Sequence, residues 1–309
     1  MALQTVMWTS FGAVMLLMFV LDMGIFNRKS HEIRFREALA WTITWVALAL
    51  AFNAWIYYSM GSAKALEFFT GYLIEESLSV DNLFVFIMIF AYFHISKIHQ
   101  PKILKWGIIG ALVMRAVFIF AGIELIERFR WMIYLFGGML LITGLKMAFG
   151  KESTIEPEKN LLVKIVRRFV PITKRVRDDR FFLRRRGVTA ATPLFLTLLV
   201  VESSDVIFAV DSIPAVLAVT HDPFIVYSSN VFAIMGLRSL YYLLAHVMEM
   251  FVYLKLGISF ILVFVGMKML LVDIWHIPIY FSLGVIAGAL SISILTSITI
   301  GRKRHSNRH

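Results

Sequence analysis

The chain is a succession of long apolar runs separated by short polar turns. Windows of about 20 residues, the length at which an α-helix crosses a bilayer, locate nine spans at roughly 5–26, 39–59, 67–93, 104–123, 131–149, 190–219, 224–247, 254–272 and 278–300. The pattern predicts an all-α polytopic membrane protein of about nine transmembrane helices. Two spans break the apolar pattern in nearly the same way: GYLIEESLSVDNLFVF at 71–86 and VVESSDVIFAVDSIPA at 200–215 set carboxylates among residues otherwise fit for lipid. An ionisable side chain at membrane depth is costly and marks a functional site by default.

Composition agrees with the membrane reading. Of 309 residues 59% are hydrophobic and only 17% charged, too few charges for a soluble globule. The chain has no cysteine, which excludes disulfides, thiolate metal sites and thiol catalysis, so any bound metal must use oxygen or imidazole. The first apolar run, Val6 to Phe26, has neither a basic leader nor a small-residue cleavage site and is expected to span rather than be removed.

A net charge of +11 would suggest nucleic acid in a soluble protein. Here the basic residues fall on one side of the predicted topology: Arg28, Lys29, Arg34 and Arg36, then Lys97, Lys102 and Lys105, then the Lys151–Arg186 stretch, Lys255, and the tail Arg302, Lys303, Arg304 and Arg308. Lys64, Arg128 and Arg130 fall on the other. This bias predicts an outside N-terminus and a cytoplasmic C-terminus, with no nucleic-acid partner. The long connection 150–189 mixes Val, Ile and Phe with Lys and Arg, as suits a linker lying on anionic membrane lipids.

Three features recur in order along the chain. Val80-Asp81-Asn82-Leu83 aligns with Val210-Asp211-Ser212-Ile213, which also sets Glu75 on Asp205; Leu112-Val113-Met114-Arg115-Ala116 aligns with Met235-Gly236-Leu237-Arg238-Ser239; and Thr143-Gly144-Leu145-Lys146-Met147 aligns with Val265-Gly266-Met267-Lys268-Met269. A unit of three spans enters the membrane from opposite sides on its two occurrences, so the expectation is two inverted three-helix repeats with a site at their interface near midplane. The chain then divides into two N-terminal helices (1–66), a first repeat (67–149), the basic linker (150–189), a second repeat (190–272), and a last helix with a basic tail (273–309).

The candidate metal ligands are Glu75, Asp81, Glu202, Asp205 and Asp211, with Asn82 and Ser212 beside the aspartates to complete the shell. Six residues of α-helix turn about 600°, leaving Glu75 and Asp81, and likewise Asp205 and Asp211, about 120° apart. Either the helices break locally or each serves two neighbours, and Pro214 is expected to break the second. Arg115 and Arg238, near mid-span, offer the acids a purely structural pairing, but five acids against two arginines leave an excess of negative charge that calls for a cation or protons. Oxygen ligands without thiols favour a hard divalent ion, Mn²⁺, Mg²⁺ or Ca²⁺, among which composition does not choose. Lys146 and Lys268, near span ends, are expected to snorkel. His31, His94, His99, His221, His246 and His276 also fall at span ends and His305 and His309 in the tail, places suited to the interface rather than to ligation. The Gly284–Gly288 run is a small-xxx-small motif expected to pack against a helix.

The motifs LIEESLSVDNLFVF, VESSDVIFAVDSIPAVLAVT and DPFIVYSSNVFAIMGLRSLYYLL resemble the TerC family of integral membrane proteins, most closely its Alx-like branch, within the LysE-type exporter superfamily. The resemblance covers spans two through nine. It implies a multi-pass protein of the bacterial inner membrane that exports manganese, in a family named for tellurite-resistance loci, and it marks Glu75, Asp81, Glu202, Asp205 and Asp211 as the acidic positions.

The expected function is secondary transport of a divalent metal, driven by a gradient because no nucleotide-binding motif is present, with protons as the natural counter-ion. No enzymatic activity and no cofactor are expected: the chain lacks the Gly-x-Gly-Asp of membrane aspartyl proteases and the His-Glu-x-x-His zinc motif. Export of a small organic solute and a scaffold that helps load metal into other proteins are the alternatives. The sequence leaves oligomeric state open.

Overall fold

A computed structural model describes residues 2–24, 33–149, 171, 173, 180–185, 188–247, 254–275 and 277–306. Among these are nine α-helices: α1 (Ala2–Gly24), α2 (Phe35–Met60), α3 (Ser62–Tyr92), α4 (Gln100–Arg128), α5 (Met132–Phe149), α6 (Pro193–Leu217), α7 (Pro223–Val247), α8 (Leu254–Leu270) and α9 (Ile279–Ser306). Five of them, α2, α4, α5, α6 and α9, are long and apolar enough by length and composition to cross a membrane. Each of the nine helices overlaps one apolar run of the sequence. Most of the linker, with Val163 among it, and His31, His276 and His309 lie outside the described residues.

Helix boundaries follow local chemistry. Gly61, at φ 91°, is the single residue between α2 and α3, a backbone conformation that a side chain would strain. Pro101, Pro193 and Pro223 stand in the first turns of α4, α6 and α7, where a missing N–H costs nothing. Asp222 caps α7 by accepting the Phe224 N–H at 3.1 Å. The linker contributes one element that apolar patterning did not anticipate, an antiparallel hairpin of β1 (Phe182–Arg185) and β2 (Val188–Ala191). Such short strands lie below the window that finds spans.

Pro214 does not break α6, contrary to expectation: the helix runs through it to Leu217. The proline forgoes the bond to the Val210 carbonyl one turn earlier, but that single loss does not end the helix, and its own carbonyl still accepts the Ala218 N–H at 3.0 Å. α3 is likewise uninterrupted across Glu75 and Asp81.

α3 and α6 cross at the centre of the bundle. α3 also packs on α7 and α6 on α4, while α5 packs along α8. The α5–α8 crossing is close because glycines meet backbone: a Cβ on Gly144 would fall 2.9 Å from the Ser259 carbonyl, and one on Gly266 would fall 2.8 Å from the Gly137 carbonyl. α2 covers α7 and α3 on one side, and α9 covers α8 and α3 on the other. Gly284 and Gly288 do not mediate that second contact, since a Cβ on either would meet nothing within 4 Å on a neighbouring helix among the described residues; α9 instead presents Ser293 to Gly257 of α8.

The apolar core forms two clusters. One, around Phe52, Phe68, Phe90 and Phe232, joins α2, α3 and α7; the other, around Leu140, Ile261 and Ile286, joins α5, α8 and α9. Large apolar side chains such as Val113, Val117, Ile292 and Leu295 face outward, each more than 60% exposed. Outward apolar faces on long helices suit a lipid surround.

Candidate functional site

Arg115 of α4 is completely buried, and it joins α3 to α6. Its Nη1 lies 2.6 Å from Glu75 Oε2, its Nη2 lies 3.2 Å from Asp205 Oδ1 and its Nε lies 3.4 Å from Asp205 Oδ2. The guanidinium thus presents its planar fork to Asp205 and its remaining edge to Glu75, a geometry that a lysine could not reproduce. Ser212 Oγ accepts a further, longer contact from Nη1 at 3.4 Å. The second oxygen of Glu75 accepts from Asn230 Nδ2 of α7 at 2.7 Å. Every oxygen of Glu75 and Asp205 therefore has a donor, as groups withdrawn from water require.

The excess of negative charge is smaller here than the count of acids suggests. Glu75 and Asp205 are taken up by an arginine, because α4 packs directly on α6 and delivers Arg115 to both acids. One positive charge still faces two carboxylates.

Asp211 faces elsewhere. Six residues of unbroken helix leave it about 120° around α6 from Asp205, where Thr143 Oγ1 of α5 donates to Asp211 Oδ1 at 3.1 Å. Asp211 borders a cavity of about 50 Å³ with Asn82, Ser212, Phe208 and Met147. Asn82 is buried there, and its Nδ2 has no hydrogen-bond partner among the described residues. Ser212 belongs to both places, bonded to Arg115 and lining this cavity.

Glu202 lies one turn before Asp205, half-buried against α4. A Cβ on Gly110 would overlap its carboxylate, so that glycine is what admits the side chain. Glu202, Asp205 and Arg238 border a cavity of about 20 Å³. Neither Glu202 nor Asp211 has a basic partner among the described residues. Asp81 is helical within α3, and its side chain lies outside the described residues.

Of the seven predicted ligands, then, Glu75, Asp205 and Ser212 meet at Arg115, Asp211 and Asn82 share a neighbouring cavity with Ser212, and Glu202 stands beside Asp205. Among the described residues, no three of His, Asp and Glu group closely enough to hold a metal as they stand. Several participants carried little signal in the sequence. Glu76, bonded to Tyr72 at 2.8 Å, was visible as a second acid in LIEES. Asn230 stood in a polar Ser-Ser-Asn run and Thr143 in the repeated Gly-x-Lys-Met segment, but neither spacing pointed to an acid.

A second polar cluster closes one end of the bundle. Lys64 at the start of α3 lies 2.8 Å from Glu67 and 3.2 Å from Asp222, and the Thr220 hydroxyl donates to Glu67. These residues, with Val219, His221 and Lys268, line a cavity of about 600 Å³.

Apolar outward faces and a charged cluster buried where the long helices cross define a multi-pass integral membrane protein. Its affiliation is specific: the chain belongs to the TerC family of integral membrane proteins, whose profile matches residues 60–305. It is 48% identical over 300 residues to "Uncharacterized membrane protein STKORF319" of Myxococcus xanthus, spanning 97% of this chain and 93% of that one. It is 46% identical over 307 residues to "Putative membrane-bound redox modulator Alx" of Salmonella typhi, spanning 96% and 95% of the two chains. The protein of the same name in Escherichia coli K12 is 45% identical over 311 residues, spanning 98% and 97%. No solved structure matches the chain.

Proposed function

We propose that this protein is a secondary transporter that exports a divalent metal, manganese before others, from the cytoplasm by alternating access. The observation that carries the reading is the surplus of carboxylate at the helix crossing: Glu75 and Asp205 share a single arginine, while Glu202 and Asp211 stand beside them without a basic partner among the described residues. Carboxylate, amide and hydroxyl oxygens with no thiol suit a hard ion, and manganese tolerates that mixture. For Glu75 and Asp205 to ligate the metal, the ion must take the place of Arg115.

Two inverted repeats are part of this reading. The reciprocal α5–α8 contacts support them: the same sequence offset separates Gly144 from Gly266 and Gly137 from Ser259, and Gly144 meets Ser259 as Gly266 meets Gly137. The α3–α7 and α6–α4 packings are the corresponding pair for the other helices. The basic loops favour a cytoplasmic C-terminus in a bacterial inner membrane.

Protons are the proposed counter-ion, because metal binding to crowded carboxylates expels them. The printed name of the Alx relatives concerns redox modulation. This chain has no cysteine on which thiol chemistry could occur, so a redox effect here would follow from its cargo.

The test compares intracellular manganese with and without the protein, beside Glu75→Gln, Asp81→Asn, Asp205→Asn and Asp211→Asn variants matched for expression. Manganese should fall with the wild type and rise back in the variants; unchanged manganese throughout rejects export. Manganese flux in vesicles that persists after the pH gradient is collapsed at constant membrane potential would reject proton coupling alone.

A further inference from the structure

We propose that Arg115 and Arg238 are alternating tethered cations for one acid pair: Arg115 holds Glu75 and Asp205 in the conformation described here, and Arg238 takes that seat in the opposite-facing conformation. The inference rests on the inverted-repeat transport reading above.

In the register of the repeats Glu75 is the counterpart of Asp205, and Arg115 is the counterpart of Arg238. Two counterparts bridged by one guanidinium lie close to the axis that relates the repeats. Any contact Arg115 makes with the pair is therefore open, by that symmetry, to Arg238. Both arginines are buried, Arg115 at 0% and Arg238 at 9% exposure, and Arg238 lines the small cavity bordered by Asp205 and Glu202. In the conformation described, Arg115 and Asn230 supply the donors to the pair, and Arg238 supplies none. The symmetry is broken at the one place where both repeats compete for the same acids. Exchange of roles between inverted repeats is how such folds turn from one face to the other.

The cavities supply the direction. The one at the Lys64 end holds about 600 Å³, whereas the one beside Glu202, bordered by Phe86 toward the opposite end of α3, holds about 20 Å³. The larger hollow therefore lies at the Lys64 end, and the proposal assigns the opening of the Arg115-seated form to that end. The device has a physical purpose: two carboxylates buried without a counter-charge are heavily penalised, so an empty carrier could not reorient readily. An arginine from either repeat offsets one of the pair's two charges on the return, leaving the other for a proton, and the cargo cation takes its place on the loaded stroke.

The chain's lack of cysteine permits a single reporter. Val219→Cys places a thiol in the large cavity, and its rate of reaction with a small maleimide is measured on the purified full chain without added metal. With Arg115→Gln the rate should fall at least threefold, as Arg238 takes the seat; with Arg238→Gln it should hold or rise. Shifts in the same direction, or none with Arg115→Gln, overturn the proposal. Should Arg115→Gln fail to fold, Arg115→Lys and Arg238→Lys keep the charge without the fork and should give smaller shifts of the same opposed signs. In a Glu75→Gln/Asp205→Asn background the shifts should vanish, and their persistence also overturns the exchange. No manganese enters this readout, so failure of the arginine exchange is distinguishable from failure of export, which is read in cellular manganese.

Discussion

Asp205 and Asp211 are the same side chain on the same unbroken helix, and they live in different surroundings. Asp205 meets a buried guanidinium and has both oxygens bonded; Asp211 meets one threonine hydroxyl and a cavity of about 50 Å³. The first arrangement sets a charged donor on each oxygen, with strong and directional bonds. The second has room and spare acceptor capacity. Identical chemistry six positions apart thus separates into a held charge and an available one, solely because an intact helix turns them toward different neighbours.

The largest effect should come from stranding the held side. Arg115→Met leaves two buried carboxylates without a counter-charge and should cost about 3–5 kcal/mol, whereas Asp211→Asn keeps an acceptor for Thr143 and should cost under about 1 kcal/mol. Thermal unfolding of the solubilised protein measures both, and equal losses would dissolve the contrast between the two faces. Next in size is Gly110→Ala, whose methyl would overlap the Glu202 carboxylate and should cost about 1–3 kcal/mol through overpacking. Adding Glu202→Ala should return most of that loss in a double-mutant cycle; a strictly additive result would place the strain elsewhere.

Smaller still, Thr143→Val removes the single bond to Asp211 and should cost about 1.5 kcal/mol. It should weaken manganese transport more than stability, as judged by initial flux beside unfolding temperature. The smallest effect is expected at the partly exposed mouth. Lys64→Met breaks contacts with Glu67 and Asp222 that should contribute about 0–1 kcal/mol, and the difference from wild type should shrink further in high salt. A loss there as large as that of Arg115→Met would mean that the mouth is locked as firmly as the helix crossing.

Much of this was legible in the linear pattern. Runs of apolar residues announced each helix among the described residues, because length and hydropathy are local properties that backbone hydrogen bonding in lipid converts directly into helix. The acids announced themselves by being out of place. Pro214 misled because a proline removes one bond to the preceding turn, and the helix that spans Pro193–Leu217 holds without it. Gly284 and Gly288 misled because a small-residue motif states that close approach is possible, not which neighbour comes; the glycines that meet backbone are Gly137, Gly144, Gly257 and Gly266.

Within the sequence by itself lay the membrane class, the helices, the repeated acid positions and the six-residue spacing that sets each pair of acids on different faces. Which faces those are was decided only in three dimensions. Arg115 reaches Glu75 and Asp205 across 40 and 90 residues of chain, and Thr143 reaches Asp211 across 68. A helix specifies its own side-chain directions through local bonds; the charge or hydroxyl waiting at the end of each direction is supplied by another helix, whose approach is set by packing.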